Sequence, residues 1–125
     1  MGVYIHYYPS SDEYTRIGSS LWPELLRCLR EVNEKDFKLL LNLPENGIID
    51  EDQISELAEA FEKNKEMIYD WFYSLPEDYP FDETLDAALW GFANNLIDMD
   101  RNSPGIIQFD IPDHFIATKT EDNEK

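Results

Sequence analysis

The run VYIHYY, residues 3–8, decides how this chain is read. It is β-branched and aromatic, and it is stopped by Pro9 and the turn-forming SSDE at 10–13, so its composition is that of a strand. A lone strand cannot satisfy its own backbone N–H and C=O groups. The run IIQFDI at 106–111, which follows the turn RNSPG, has enough alternation to be its partner. The two ends of the chain are therefore expected to meet in a small sheet.

Between these ends the apolar period changes to that of a helix. Leu21, Leu25, Cys28, Leu29 and Val32 fall on one face, and Pro23 is tolerated because it lies in the first turn. Asn33 is expected to cap a second, short helix that turns Phe37, Leu40 and Leu41 inward and ends near Leu43-Pro44. After the turn PENG, Asp50 followed by Gln53 has the form of a capping box for a helix whose stripe is Ile54, Leu57, Ala58 and Phe61, with Asp52, Glu56 and Glu59 opposite. Asn64 is expected to cap the next helix, with Ile68, Trp71, Phe72 and Leu75 on one side and Glu66, Tyr69, Asp70 and Tyr73 on the other. The run PEDYP breaks it. A last helix is predicted from about Asp82 to Ile97, with Leu85, Leu89, Phe92 and Leu96 in one narrow arc. The expected fold is α+β: a single, mostly helical domain of about five helices over residues 1–118, with 119–125 a polar, frayed tail.

Charge narrows the function. The chain carries 27 acids against 10 bases, a formal charge of −17. Such a field repels nucleic acid and anionic membranes and draws in cationic proteins. An aromatic content of 14% argues for a folded chain, since disordered acidic chains are poor in aromatics. No run reads as a secretory signal or reaches membrane-spanning length, so the expected location is cytoplasmic.

From Glu66 to Asp100 there is no lysine or arginine, but there are nine acids and eight aromatic residues. Trp90 projects well away from the arc of the last helix, close to Glu83, Asp86 and Asn94 on the helical wheel. The stripes Glu66/Tyr69/Asp70/Tyr73 and Glu83/Asp86/Trp90/Asn94 flank a loop holding Glu77, Asp78, Tyr79, Phe81 and Asp82. Together they predict one surface on which aromatic anchors sit among carboxylates that pair with Lys or Arg of a partner. The alternative for Tyr79, Phe81 and Trp90 is packing back onto the N-terminal strand beneath a merely solvated charge run.

Catalytic patterns are sparse. His6 and His114 flank the expected strand pair and could meet, whereas Cys28 reads as a buried small hydrophobe. No nucleophile elbow, phosphate loop or zinc-protease motif occurs. The segment DMDRNSPGIIQFDI resembles an EF-hand calcium loop, but placing Gly105 on the invariant glycine puts Pro104 and Ile111 at ligand positions. Starting at Asp98 instead gives acids or amides at 98, 100 and 102 but displaces the glycine. The segment is read as a turn. No enzyme activity, cofactor or metal is expected.

A small, very acidic chain with clustered tyrosines and tryptophan is similar to the bacterial immunity proteins that neutralise nuclease toxins. YYP at Tyr7 to Pro9 resembles the Tyr-Tyr-Pro element of the colicin-immunity proteins. The resemblance covers those three residues and implies that Tyr7 and Tyr8 contact the toxin. The expected function is stoichiometric inhibition of a basic protein, either a toxin or a nucleic-acid-binding effector, with no direct contact to nucleic acid or membrane. One alternative is a nucleic-acid mimic that blocks a restriction or CRISPR effector. Another is a small hydrolase or an EF-hand-like calcium protein.

Overall fold

The computed structural model describes residues 2–8, 14–102 and 105–111; Pro9, His114 and the tail 119–125 lie outside them. The elements in order are β1 (Gly2–Tyr8), β2 (Tyr14–Gly18), α1 (Leu21–Asn33), α2 (Lys38–Leu41), β3 (Ile48–Ile49), α3 (Glu51–Lys63), α4 (Lys65–Tyr73), α5 (Asp82–Asn102) and β4 (Ile106–Asp110). The strands form one antiparallel sheet in the order β2-β1-β4-β3. The fold is α+β, and the strands from the two ends of the chain are paired, with Tyr4 opposite Asp110 and Tyr8 opposite Ile106.

Two strands escape the sequence reading. β2 is only five residues long, carries Arg16 at its centre and adjoins the turn-forming run 10–13. It becomes a strand because β1 offers it a free edge. β3 is two residues long, shorter than any periodicity can reveal. Gly47 sets up this edge: its φ is 72°, its N–H donates to Pro44 O at 2.9 Å, and its carbonyl accepts from Phe109 N at 2.7 Å. A side chain at 47 would collide with the Phe109 carbonyl, so glycine is required there.

One face of the sheet, with Val3, Ile5, Tyr7, Ile17, Ile49, Ile107 and Phe109, is buried beneath the helices. Aromatic rings run through the core from Trp22 to Phe109 (6.1 Å between centroids), then to Phe92 (5.9 Å), Phe61 (6.0 Å) and Phe37 (4.9 Å). Offset and edge-on contacts of this kind stabilise by about 0.5–1.5 kcal/mol each beyond area burial. The stripes of α1, α3 and α5 all face inward, including Leu85, Leu89, Phe92 and Leu96. The capping box is present: Asp50 Oδ1 accepts from Gln53 N at 2.9 Å, and Gln53 Oε1 accepts from Asp50 N at 3.0 Å.

Three expectations are corrected. Asn33 closes α1 and does not open α2; its Oδ1 accepts from Asp36 N at 3.2 Å in the intervening turn, and α2 begins only after Phe37. Asn64 does not cap α4 with its side chain. It is buried, and its Nδ2 donates to Asp36 Oδ2 at 2.9 Å and to Ala60 O at 2.8 Å while its Oδ1 accepts from Asn33 at 3.3 Å. This knot ties the end of α1 to the α3–α4 junction. Finally, α5 passes Ile97 and continues to Asn102, so Asp98 and Asp100 are helical and belong to no turn. Met99 is buried, Asn102 donates to Asp98 at 2.8 Å, and Arg101 reaches Glu62 of α3 at 2.6 Å, which together hold the extra turn.

Candidate partner-binding surface

α4 has an inner side and an outer side. Ile68 is buried, and Trp71, Phe72 and Leu75 are half-buried. Glu66, Tyr69, Asp70 and Tyr73 point to solvent, Tyr73 with 88% and Tyr69 with 40% of its surface exposed. Met67, 49% exposed, joins this surface; it precedes Ile68 by one residue and so lies about 100° from it around the helix, outside both sequence-defined stripes. An exposed methionine and two exposed tyrosines within seven residues form the larger of the apolar exposures described.

Trp90 comes to this surface from α5. Its ring lies 5.2 Å from that of Tyr69 with the planes inclined by 33°, so the stack joins α4 to α5. Trp90 is half-buried, and its Nε1 is buried without an acceptor among the described residues. Leaving such a donor unpaired costs about 1–3 kcal/mol. On the two helices that the stack joins, Glu66 and Asp70 of α4 and Asp82, Glu83, Asp86 and Asn94 of α5 are all exposed, as are Glu77 and Asp78 between the helices. None of these seven carboxylates forms an ion pair among the described residues.

Tyr79 and Phe81 belong to the scaffold. Both are half-buried against the core, edge to face at 5.9 Å. Tyr79 Oη donates to Glu24 Oε1 of α1 at 2.7 Å, so the loop folds back onto α1 and not onto the N-terminal strand. Burial, followed by the bond to Glu24, pushes the Tyr79 phenol up to about 12.

One base of α1 packs against α4. Arg27 lies 5.1 Å from the centroid of Trp71, and its guanidinium bonds Glu24 at 2.9 Å and Glu31 at 3.3 Å. Trp71 Nε1 donates to Glu31 Oε1 at 2.9 Å. The bond from Arg27 and then that from Tyr79 hold the Glu24 carboxyl below its ordinary value, while Trp71 and then Arg27 do so for Glu31. The same pairing raises the Arg27 guanidinium. The inner half of α4 is thus tied to α1 by a cation–π contact and a hydrogen bond at Trp71, and the carboxylates of its outer half form no ion pair among the described residues.

Other candidate chemistry is placed as follows. Cys28 is buried, and burial pushes its thiol up to about 12, which makes it a poor nucleophile. His6 lies on the outer face of the sheet beside Tyr8 and Tyr14. Among the described residues no group of three or more His, Cys, Asp or Glu could hold a metal ion, and no helix is long and apolar enough to cross a membrane. A groove of about 300 Å³ between α2 and α3 is lined by Lys35, Asp36, Lys38, Leu39, Asn42, Glu56 and Leu57. Tyr7 and Tyr8 do not form a contact pair: strand alternation turns Tyr7 into the core, where its hydroxyl lies 2.7 Å from Thr15 Oγ1, and Tyr8 to the opposite face.

No protein-family model, no curated protein and no solved structure matches the chain.

Proposed function

We propose that the protein is a stoichiometric inhibitor of a basic protein, of the kind that neutralises a nuclease-type toxin in the cytoplasm, and that it binds through the outer faces of α4 and α5. The observation that carries this reading is the Tyr69–Trp90 stack, open on the Tyr69 side and bordered by Tyr73, with seven unpaired carboxylates on the same helices and the loop between them. In the mechanism, the −17 field raises the encounter rate with a cationic partner. The exposed rings then desolvate against it, and the carboxylates pair with its lysines and arginines. Occupation of the partner's anion-binding site, or of its margin, blocks nucleic acid. A compact ring-centred patch favours this over nucleic-acid mimicry, which calls for carboxylates in extended rows.

The test is affinity capture on the immobilised protein at about 50 mM and about 500 mM salt, which spans Debye lengths from roughly 14 Å to 4 Å. The reading expects a basic protein retained at low salt and released at high salt, whose nuclease activity falls to zero at one equivalent of the inhibitor. The triple variant Asp70→Ala, Tyr73→Ala, Asp86→Ala, all exposed positions, should lose the partner with an unchanged melting curve. Undiminished capture by that variant overturns the reading.

A further inference from the structure

Independently of that surface, we propose that the outer face of the sheet is a weak self-association surface that takes the same face of a second copy of this chain. Alternation places Tyr4, His6 and Tyr8 of β1, Tyr14 and Arg16 of β2, Ile106, Gln108 and Asp110 of β4, and Ile48 of β3 on this face. Tyr14 is 59% and Ile106 39% exposed. Four rings run across it in contact: Tyr8 to His6 at 6.5 Å, His6 to Tyr14 at 6.0 Å and Tyr14 to Tyr4 at 5.8 Å.

The charge of this face selects the occupant. In a chain with 27 acids, Asp110 is the one acid carried by the described strands, and Arg16 on the same face balances it. A cationic partner gains nothing here over the acidic helices. A partner as acidic as the chain itself approaches best where carboxylates are fewest, and on the described strands of this face Asp110 is the single one. Depletion of charge with enrichment of tyrosine is also what separates interface cores from ordinary surface.

The face matches its own twofold image. Arg16 and Asp110 are both registered to Tyr4, on opposite sides of β1. A twofold axis parallel to β1, midway between two sheets packed about 10 Å apart, sets Arg16 of each copy against Asp110 of the other. It also sets Tyr4, His6 and Tyr8 against their counterparts. A twofold across the strands makes no such pair. Arg16 is engaged within its own chain as well, and a guanidinium with five donors serves both contacts. Four strands about 4.8 Å apart, of which β2 and β4 have five residues and β3 only two, present at most about 19 by 17 Å, which falls below the area of a standard interface. The dimer is therefore weak, with a dissociation constant of roughly 10–100 μM or above.

Sedimentation equilibrium over about 10 μM to 1 mM protein, at about 50 and 500 mM salt, tests it. Salt screens the repulsion between two −17 chains, so the dimer should tighten as salt rises, opposite to the response of a basic partner. Arg16→Asp should weaken the dimer by about tenfold or more by setting acid against acid. Adding Asp110→Arg should restore it, a rescue that damage to the fold cannot imitate. A wild type that remains monomeric throughout, an Arg16→Asp variant that dimerises normally, or a double variant that does not recover overturns the proposal.

Discussion

The guanidinium of Arg27 sits 5.1 Å from the centroid of the Trp71 ring while it bonds Glu24 and Glu31 on its own helix. One base on α1 thereby anchors α4 and, through Glu24 and Tyr79, the loop that follows it. Replacing Arg27 with Met keeps the packing stem and removes the charge. The expected cost is about 1 kcal/mol, discounted for the partial exposure of the pair, read as a melting temperature about 3–5 °C lower.

The same cluster predicts a pH signature. Glu24 and Glu31 titrate below their ordinary 4.5 in the folded state. Their contribution is present above that value and is lost as pH falls through the lowered folded values, because the unfolded chain takes up the protons first. Acidification also relieves the self-repulsion of the −17 chain, which acts in the opposite direction. The readout is therefore the difference between wild type and Arg27→Met in urea denaturation, expected to be largest near pH 7 and to shrink below about pH 4.5.

Tyr73 and Tyr79 should separate binding from stability. Tyr73→Ala removes an exposed ring and should leave stability within about 0.5 kcal/mol while weakening partner capture. Tyr79→Phe deletes the hydroxyl that donates to Glu24 and should cost about 1 kcal/mol with capture intact. Urea denaturation and the capture assay on both variants check this, and the reverse pattern would move the surface from α4 to the loop.

Asn64→Ala removes the donated bond to Asp36 and the acceptor of Asn33, while the backbone N–H of residue 64 still bonds the Ala60 carbonyl and Asn33 still donates to Asp36, and it should cost about 1 kcal/mol. Asn64→Asp adds a second carboxylate beside Asp36, whose own carboxyl Asn64 normally holds low, followed by Lys63. It should be the more damaging variant at pH 7, with the excess penalty receding below about pH 4 as one of the pair takes a proton. Paired denaturation curves at the two pH values decide it.

Gly91 sits in the middle of α5, exposed, and a Cβ there meets nothing within 4 Å. Gly91→Ala should stabilise the protein by about 0.5–1 kcal/mol, because it removes backbone freedom from the unfolded chain without straining the helix. Thermal melting measures it, and a loss of partner capture with this variant would extend the contact surface to that side of α5.

What the sequence determined by itself was local: the helices with a full apolar stripe, the capping box at Asp50 and Gln53, the inward arc of α5 and the strand character of residues 3–8 and 106–111 all follow from spacing and residue type. The outward set Glu66, Tyr69, Asp70 and Tyr73 was legible for the same reason, since on one helix a face is arithmetic. Tertiary structure alone decided whatever depends on a neighbour distant in sequence. β2 and β3 exist because β1 and β4 offer them edges, and Asn33 and Asn64 leave their capping roles because Asp36 lies between them. Tyr79 turns inward because Glu24 accepts its hydroxyl, Tyr69 meets Trp90 across two helices, and Arg27 of α1 packs on Trp71 of α4. Hydrogen bonds, ring contacts and ion pairs act over a few ångströms of space, and separation along the chain does not reveal which side chains come that close.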